Sequence, residues 1–488
     1  MKHVAVIGSG FAGLSAAAYL AKAGFSVDVY DKNDTAGGRA RNYSTQGYLF
    51  DMGPSWYWMP DIFERFFNDF NSTPGNFYQL VKLDPGFSMV FDDDVVLDVP
   101  ENVDELAAKL ELIEEGSADK LRSFLHQAAE KYRVGMGSMV YKPTIGLRDV
   151  VSSGLIGAFI KMQVLTPLSS HVKKYFKHPA IRTLMEFPVL FLGAMPQDTP
   201  ALYSLMNHAA LQVGTWYPMG GFGAVVQAFA SIAHNSGVRF YMDTPVTGIA
   251  AANELVNGIY TKKGYKQYDA VVAAADYVHV EQHLLPAAYR THTPAYWQSR
   301  TFAPSALIFY LGVRKKISRL QHHTLFFDED LHQHGHDIYK QPRWPAKPLF
   351  YVCCTSKTDE KVAPPGHENM FVLMPVAAGL QDTIALRQKY FDIIMQRVEK
   401  FTGEHVRNFI DYKRSYCIND FAADYNSYKG NAYGLANTLR QTANFKPALQ
   451  SSKLKNLVYA GQLTVPGPGV PPAIISGKIA AHQLIKYF

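Results

Sequence analysis

Three glycines near the start of the chain have the spacing of a loop that holds a dinucleotide. Gly8, Gly10 and Gly13 follow an apolar stretch, residues 3–7, that predicts a strand, and they precede a helix of small residues predicted over 14–23. In such a loop the first glycine permits a tight turn and the second lets the backbone approach a pyrophosphate. The third lets helix and strand pack closely.

An acidic residue completes this unit. Asp31 ends the next predicted strand, residues 25–30, and lies 23 residues after Gly8, near the spacing at which a carboxylate reaches a ribose hydroxyl. Arg39 and Arg41 follow two adjacent glycines, within reach of a phosphate or a flavin edge. We therefore predict a dinucleotide-binding unit made of strand, glycine turn, helix and strand.

Two later stretches of the chain also predict strands and a helix that belong with this unit. The predicted strands are residues 237–241, 244–249, 255–260, 268–276 and 457–461. A rigid turn, residues 464–472, separates the last strand from a helix predicted over 473–486, and Pro471 and Pro472 suit the first turn of that helix.

The composition excludes several classes of protein. The chain has 488 residues, enough for about three domains of roughly 150 residues. It is 48% apolar and only 18% charged, which excludes disorder and predicts large apolar surfaces. Three cysteines cannot form a disulfide framework, and the apolar start is too short for a signal peptide. We expect a cytoplasmic protein, and the sequence carries no signal for an oligomeric state.

Positive charge is concentrated in one region. The net charge is +6, and residues 131–190 contain nine Lys and Arg but two acidic residues, Asp149 and Glu186. The uncharged stretches 150–160 and 162–172 are each too short to span a bilayer. The pattern predicts peripheral association with an anionic membrane surface, or else helices that cover a core with a solvated face. No dense basic run with stacking aromatics indicates nucleic acid.

The motifs resemble those of a known family. Residues 8–13, Asp31 and Gly37-Gly38-Arg39 resemble the FAD-binding start of the amine oxidase and carotenoid desaturase flavoproteins. Along nearly the whole chain the resemblance is to bacterial phytoene desaturases, with motifs at 217–224, 430–434 and 461–471. It implies an FAD site formed by Gly8, Gly10, Phe11, Ala12, Gly13, Asp31, Lys32, Gly38, Arg39, Gly53, Pro54, Val246, Ala275, Gly461, Gly469, Val470 and Pro471.

The fold class that follows is α/β, with a Rossmann-like FAD-binding domain, a mixed α+β substrate domain and a helical membrane-facing region. We expect the FAD-binding domain to be discontinuous, with residues 1–75, 219–285 and 450–488. The substrate domain takes 76–130 and 286–449, and residues 131–218 form the membrane-associating region.

The resemblance implies FAD-dependent desaturation of a C40 carotene dissolved in the membrane, with phytoene converted towards lycopene. An allylic carbon loses a hydride to the flavin, and a neighbouring carbon then loses a proton. Arg148 and Asp149 resemble a family segment that carries polar residues towards the flavin, so Asp149 is a candidate proton acceptor and Arg148 its partner. A chance surface ion pair is the alternative for this dipeptide.

Several apolar segments predict the walls of a substrate tunnel: residues 56–59, 199–238 and 302–311. Each of them is also typical of an ordinary core. His332, His334 and His336 alternate, which predicts a histidine-rich polar loop, and we expect no metal.

Alternatives to phytoene desaturation stay open at this point. The chain departs from many family members at Met219, Ile418 and Val465, as a subgroup would, which leaves the exact substrate and the position of desaturation open. The second candidate within the family acts on another carotenoid, for example as a hydroxycarotenoid 3,4-desaturase, or oxidises a terminal methyl group. An amine or protoporphyrinogen oxidase would need a more polar pocket. An isoprenoid-binding carrier of the GDP-dissociation-inhibitor type would have no use for a pyrophosphate loop.

Overall fold

The computed structural model describes residues 1–142, 162–442 and 445–488. Strands within these residues are β1 (His3–Ile7), β2 (Ser26–Tyr30), β3 (Asn42–Thr45), β4 (Tyr48–Asp51), β5 (Leu80–Lys82), β6 (Phe87–Asp92), β7 (Val95–Val99), β8 (Trp216–Pro218), β9 (Arg239–Tyr241), β10 (Val246–Ala252), β11 (Leu255–Thr261), β12 (Gly264–Gln267), β13 (Ala270–Ala273), β14 (Ser305–Val313), β15 (His323–Phe326), β16 (Phe350–Cys353), β17 (Glu368–Val376), β18 (Ile410–Tyr416) and β19 (Leu457–Tyr459).

The α-helices of the same residues range from single turns to five turns. They are α1 (Phe11–Lys22), α2 (Pro60–Asp69), α3 (Val103–Glu111), α4 (Ser117–Val134), α5 (Leu168–Val172), α6 (Pro179–Glu186), α7 (Leu205–Asn207), α8 (Gly221–Asn235), α9 (Tyr277–His279), α10 (Pro294–Gln298), α11 (Leu331–Tyr339), α12 (Ile384–Thr402), α13 (Ile418–Tyr425) and α14 (Val470–Tyr487).

A five-stranded parallel sheet joins three distant stretches of the chain. Its order is β19-β13-β1-β2-β9, and each neighbouring pair is parallel. The central strands β1 and β13 are continuous apolar runs, as expected where helices or other layers cover both faces of a parallel sheet. The sheet therefore brings residues near 7, 30, 273 and 459 to one edge.

Helices α1 and α14 pack against each other with almost no space between their backbones. A Cβ added to Gly477 on α14 would lie 2.3 Å from the carbonyl oxygen of Ala12 on α1. The Ser15 hydroxyl on α1 donates to the carbonyl of Ile474 on α14 at 2.8 Å. This contact holds the starts of the two helices side by side.

A seven-stranded mixed sheet forms the second layer. Its order is β18-β14-β17-β16-β15-β6-β7; β15 and β6 are parallel, and the other neighbours are antiparallel. Strand β14 is buried at every residue. A three-stranded antiparallel sheet, β10-β11-β12, lies beside the parallel sheet.

The predicted α/β architecture is confirmed in these sheets, whereas the membrane-facing region and the domain boundaries stay predictions. Helix α1 begins at residue 11 rather than 14, and α14 begins at residue 470 rather than 473. The predicted histidine-rich loop is wrong, because residues 331–339 form α11. Among the described residues, no helix combines the length and apolar character needed to cross a bilayer. The stretch 150–160 lies outside the described residues.

The close contact of α1 and α14 makes Gly477 a sensitive position. We expect Gly477→Ala to destabilise the fold by about 1–3 kcal/mol, because the added methyl group overlaps the backbone of α1. Thermal unfolding of the FAD-bound protein measures the effect. The matched control is Gly137→Ala, whose Cβ would have no neighbour within 4 Å. Equal unfolding midpoints for the two variants would contradict the tight helix contact.

Candidate cofactor and substrate cavity

One cavity of about 490 Å³ lies at the edge of the parallel sheet where the strands end. Residues directly after β1, β2, β13 and β19 line it, among them Gly8, Asp31, Ala274 and Gly461. Ligands of open parallel α/β sheets bind at the carboxyl ends of the strands. The topology alone therefore indicates a binding site at this edge.

The backbone at Gly10 leaves open space for a ligand. A Cβ added there would have only the backbone of Gly37 and Gly38 near it, at 3.9 Å. The first intrahelical hydrogen bond of α1 runs from the Leu14 N–H to the Gly10 carbonyl. The N–H groups of residues 11–13 thus have no acceptor within the helix, and they suit a phosphate group.

Gly8 and Gly13 have structural functions in the same turn. Gly8 has a φ of +103°, which a side chain would strain. A Cβ at Gly13 would lie 1.9 Å from the Gly8 carbonyl oxygen. Gly13 therefore packs the helix onto the turn and does not line the cavity.

Asp31 is buried at the cavity wall in a fixed orientation. One carboxylate oxygen accepts hydrogen bonds from the backbone N–H and the hydroxyl of Ser9, at 2.8 and 2.6 Å. The other accepts from the backbone N–H of Asn33 at 2.9 Å. The side-chain amide of Asn33 also donates to this second oxygen, at 3.1 Å, so each oxygen accepts two hydrogen bonds. A ribose hydroxyl would take the place of one of the side-chain donors.

Arg39 brings a positive charge to the cavity, and the buried carboxyl of Asp276 interacts with it without forming an ion pair. Among the described residues no ion pair involves its guanidinium, and its Nε has no hydrogen-bond partner. The guanidinium lies 5.1 Å from the ring centre of Tyr425, and burial lowers its pKa. Arg41 differs, because it pairs with Asp424 at 3.0 Å. Arg39 is therefore the arginine available to an anionic ligand.

The start of α14 faces the same cavity. Gly469, with a φ of +111°, Val470 and Pro471 line the wall, and Pro471 and Pro472 carry no N–H. The first intrahelical bond runs from the Ala473 N–H to the Gly469 carbonyl. The positive end of the α14 dipole therefore points at the site and favours negative charge there.

The double-glycine motif at 217–224 supports the site from behind. Helix α8 begins there, and the Asp51 carboxylate accepts from the N–H groups of Phe222 and Gly223 at 2.8 and 3.2 Å. Burial raises the pKa of Asp51 to about 7. A Cβ on Gly221 would lie 2.4 Å from this carboxylate. The motif thus packs α8 against β4, just before Gly53 and Pro54.

The residues that the resemblance implies for FAD converge on this one cavity. Except for Gly13, all of them line it. The open space at Gly10, the unpaired Arg39 and two helix starts fit a dinucleotide with a negatively charged pyrophosphate. That each residue binds FAD stays a prediction.

The far end of the cavity is apolar. Its walls include Trp56, Trp58, Met59, Phe187, Leu192, Met195, Met206, Pro304, Ala306, Ile308, Leu325, Phe327, Ile338, Leu349 and Leu373. All three predicted tunnel segments contribute to it. His334 also lines this end, but its ring accepts from the Leu349 N–H and donates to the Pro375 carbonyl, so it serves the structure.

Some residues of the site could not be predicted from the sequence, and two predicted ones lie outside the described residues. Asp424 and Tyr425 on α13 line the cavity beside Arg39 and Arg41, yet no spacing in the sequence links them to the glycine turn. Arg148 and Asp149 lie outside the described residues, so their roles stay predictions.

Comparisons with known proteins agree with this geometry. Residues 11–485 match the family described as flavin containing amine oxidoreductase. The chain is 41% identical to a carotenoid 3,4-desaturase of Haloarcula japonica, over 99% of this chain and 98% of that protein. It is 29% identical to a zeta-carotene-forming phytoene desaturase of Myxococcus xanthus, over 100% and 94%.

Solved structures share the fold at low identity. An oxidoreductase from Methanosarcina mazei matches with a TM-score of 0.63 at 15% identity, over 98% of this chain and 99% of that one. Putrescine oxidase bound to putrescine matches with a TM-score of 0.64 at 12% identity, over 99% of both chains.

The open space at Gly10 gives a test of where the cofactor binds. We expect Gly10→Ala to weaken FAD binding by roughly tenfold or more, because the methyl group occupies the pyrophosphate position. The fold should tolerate it, since the nearest atoms are 3.9 Å away. Flavin content and the unfolding midpoint of the apoprotein measure the two effects. Full flavin content in this variant would contradict the assigned position.

Proposed function

The chain belongs to the carotenoid desaturases within the flavin containing amine oxidoreductases, and we propose that it forms a double bond at the 3,4 position of a carotenoid. The observation that carries this proposal is the 41% identity to a carotenoid 3,4-desaturase along nearly the full length of both chains. The phytoene desaturases compared are 28–29% identical.

Whichever carotenoid it uses, the chain is an FAD-dependent oxidoreductase that desaturates a carotenoid. When bound, FAD supplies the acceptor for the hydride that leaves the substrate. The family match excludes the alternative of a non-catalytic isoprenoid carrier, because the matched family is one of oxidoreductases.

Residues at different positions along the cavity would bind different parts of the cofactor and the substrate. The N–H groups at the start of α1, together with Arg39, would hold the pyrophosphate. The start of α14 would favour negative charge on the flavin. The apolar walls at the far end exclude water and hold the polyene so that one carbon lies near its hydride acceptor.

Phytoene desaturation, the prediction from the sequence, is the second candidate. It is favoured by the similarity to the Myxococcus xanthus phytoene desaturase, which extends along the whole chain. Both candidates use the same cofactor and the same apolar cavity, and they differ in the carotenoid that enters it.

The substrate is tested with the FAD-loaded protein and liposomes that contain either phytoene or an acyclic carotenoid already conjugated along most of its length. We expect the conjugated carotenoid to be converted to a product with one more double bond at each reacted 3,4 position, detected by a red shift in absorbance and by mass. Turnover of phytoene with the conjugated carotenoid untouched would replace the proposal with the second candidate.

We also propose that the protein reaches its substrate from an anionic membrane surface. Lys173, Lys174 and Lys177 are exposed between α5 and α6. Leu165, close to them in sequence, is 89% exposed. An exposed apolar side chain near several lysines is typical of a surface that lies on lipid headgroups.

Charge reversal tests the membrane surface. We expect Lys173→Glu with Lys174→Glu to weaken binding to phosphatidylglycerol vesicles by roughly tenfold or more, since each basic residue contributes about 1 kcal/mol near such a surface. Cosedimentation with vesicles measures the binding. The matched control reverses Lys262 and Lys263, which are exposed at the turn between β11 and β12. Equal losses in both double variants would contradict the assignment to this surface.

A further inference from the structure

Desaturation removes two hydrogens from adjacent carbons, and the second leaves as a proton. The flavin accepts the hydride in this family's chemistry, but the proton also needs an acceptor near the apolar end of the cavity. The proton acceptor predicted from the sequence, Asp149, lies outside the described residues.

Most titratable groups on the described cavity wall belong to the predicted FAD site. Asp31 and Lys32 follow β2, Asp276 interacts with Arg39, His279 with Lys32, and Asp424 with Arg41. At the apolar end, both ring nitrogens of His334 are committed to backbone groups. The hydroxyls of Tyr339 and Tyr433 have no hydrogen-bonded base among the described residues.

Tyr351 is different, because its hydroxyl connects the cavity to a buried base. Ser55 and Tyr351 both line the cavity, and their hydroxyl oxygens lie 2.9 Å apart. The Tyr351 hydroxyl lies 2.5 Å from Nδ1 of His323, a fully buried residue. Ser55 comes two residues after Gly53, so this chain of hydrogen bonds begins beside the predicted flavin position.

The surroundings of His323 keep the resting ring neutral and place it on an aromatic face. Its ring stacks on the indole of Trp56, another wall residue, at 4.0 Å between centres and 10° between planes. An aromatic face stabilises a cation placed over it. The His323 Nε2 has no hydrogen-bond partner among the described residues, and burial with the neighbouring His322 holds the pKa of His323 well below its ordinary value. The resting ring is therefore neutral.

We propose that Tyr351 accepts the proton lost by the carotenoid and passes its own hydroxyl proton to His323. The inference rests on carotenoid desaturation and holds for either candidate substrate. After hydride loss the substrate carries a delocalised cation. The C–H electron pair of the neighbouring carbon becomes the new double bond, and its proton goes to the Tyr351 oxygen. The Tyr351 proton moves to Nδ1 of His323, which becomes imidazolium.

A weak base is sufficient for this step. A carbon next to a carbocation is strongly acidic, so a neutral imidazole of low basicity takes its proton through the tyrosine. A permanent carboxylate would introduce charge into walls that must hold a hydrocarbon. The relay thus provides a proton acceptor while the resting cavity stays uncharged at this end.

The test uses the FAD-loaded protein and whichever carotenoid the wild type converts, so an error in substrate choice leaves its result unaffected. We expect Tyr351→Phe and His323→Asn each to lower kcat by roughly 100-fold or more with KM little changed. His323→Asn keeps an acceptor near the Tyr351 hydroxyl but cannot hold the proton. The control is Tyr390→Phe, which loses a buried hydroxyl donated to the Pro345 carbonyl, outside the cavity.

Three results would overturn the relay. A wild-type kcat in His323→Asn would mean that His323 only positions Tyr351, and a wild-type kcat in Tyr351→Phe would remove the tyrosine from the reaction. Flavin content and unfolding midpoints matching those of Tyr390→Phe establish that the variants are folded. If both variants lose flavin, the relay is tested by comparing the turnover of the wild type in H2O and in D2O. Turnover should be about twofold slower or more in D2O, and an unchanged rate would exclude the relay.

Discussion

The close approach of two helix starts to one glycine turn is the constraint on which the rest of the structure depends. Gly13 lies against the Gly8 carbonyl, and Gly477 lies against the Ala12 carbonyl. Any side chain at these contacts would separate α1 from the turn or α14 from α1. Because both helices begin at the cavity, their dipoles add at one place. That geometry suits a doubly negative pyrophosphate and a flavin that gains negative charge on reduction, as the predicted FAD site requires.

Charge is distributed unevenly along the cavity, which suits a charged cofactor at one end and a hydrocarbon at the other. The unpaired guanidinium of Arg39 and the fixed carboxylate of Asp31 lie at the end where β1 and β2 stop. The opposite end is formed by the seven-stranded sheet and by aromatic residues of the 56–59 segment. Burial of a hydrocarbon is favourable only at the apolar end, so this distribution would direct the two ligands to opposite ends of one cavity.

Local patterns could be predicted from the sequence, and contacts between distant elements could not. The glycine turn and Asp31 lie within one short unit, so spacing alone indicated their arrangement. The alternation at 331–336 suggested a loop, but Asp330 caps a helix by accepting from the N–H groups of His332 and Gln333. The contact of Tyr351 with His323 depends on the register of β15 and β16. No motif encodes that register, because it arises when the whole sheet assembles.

The parallel sheet also governs the order in which the molecule is built. Strand β19 joins the sheet beside β13, and α14 then covers α1. During synthesis, residues 1–456 emerge before β19 and α14. Until those two elements follow, β13 has one unpaired edge and α1 has one uncovered face. Such non-local pairing is slow and leaves apolar surface accessible to other chains. The nascent chain therefore exposes this edge and this face until β19 and α14 have joined the sheet.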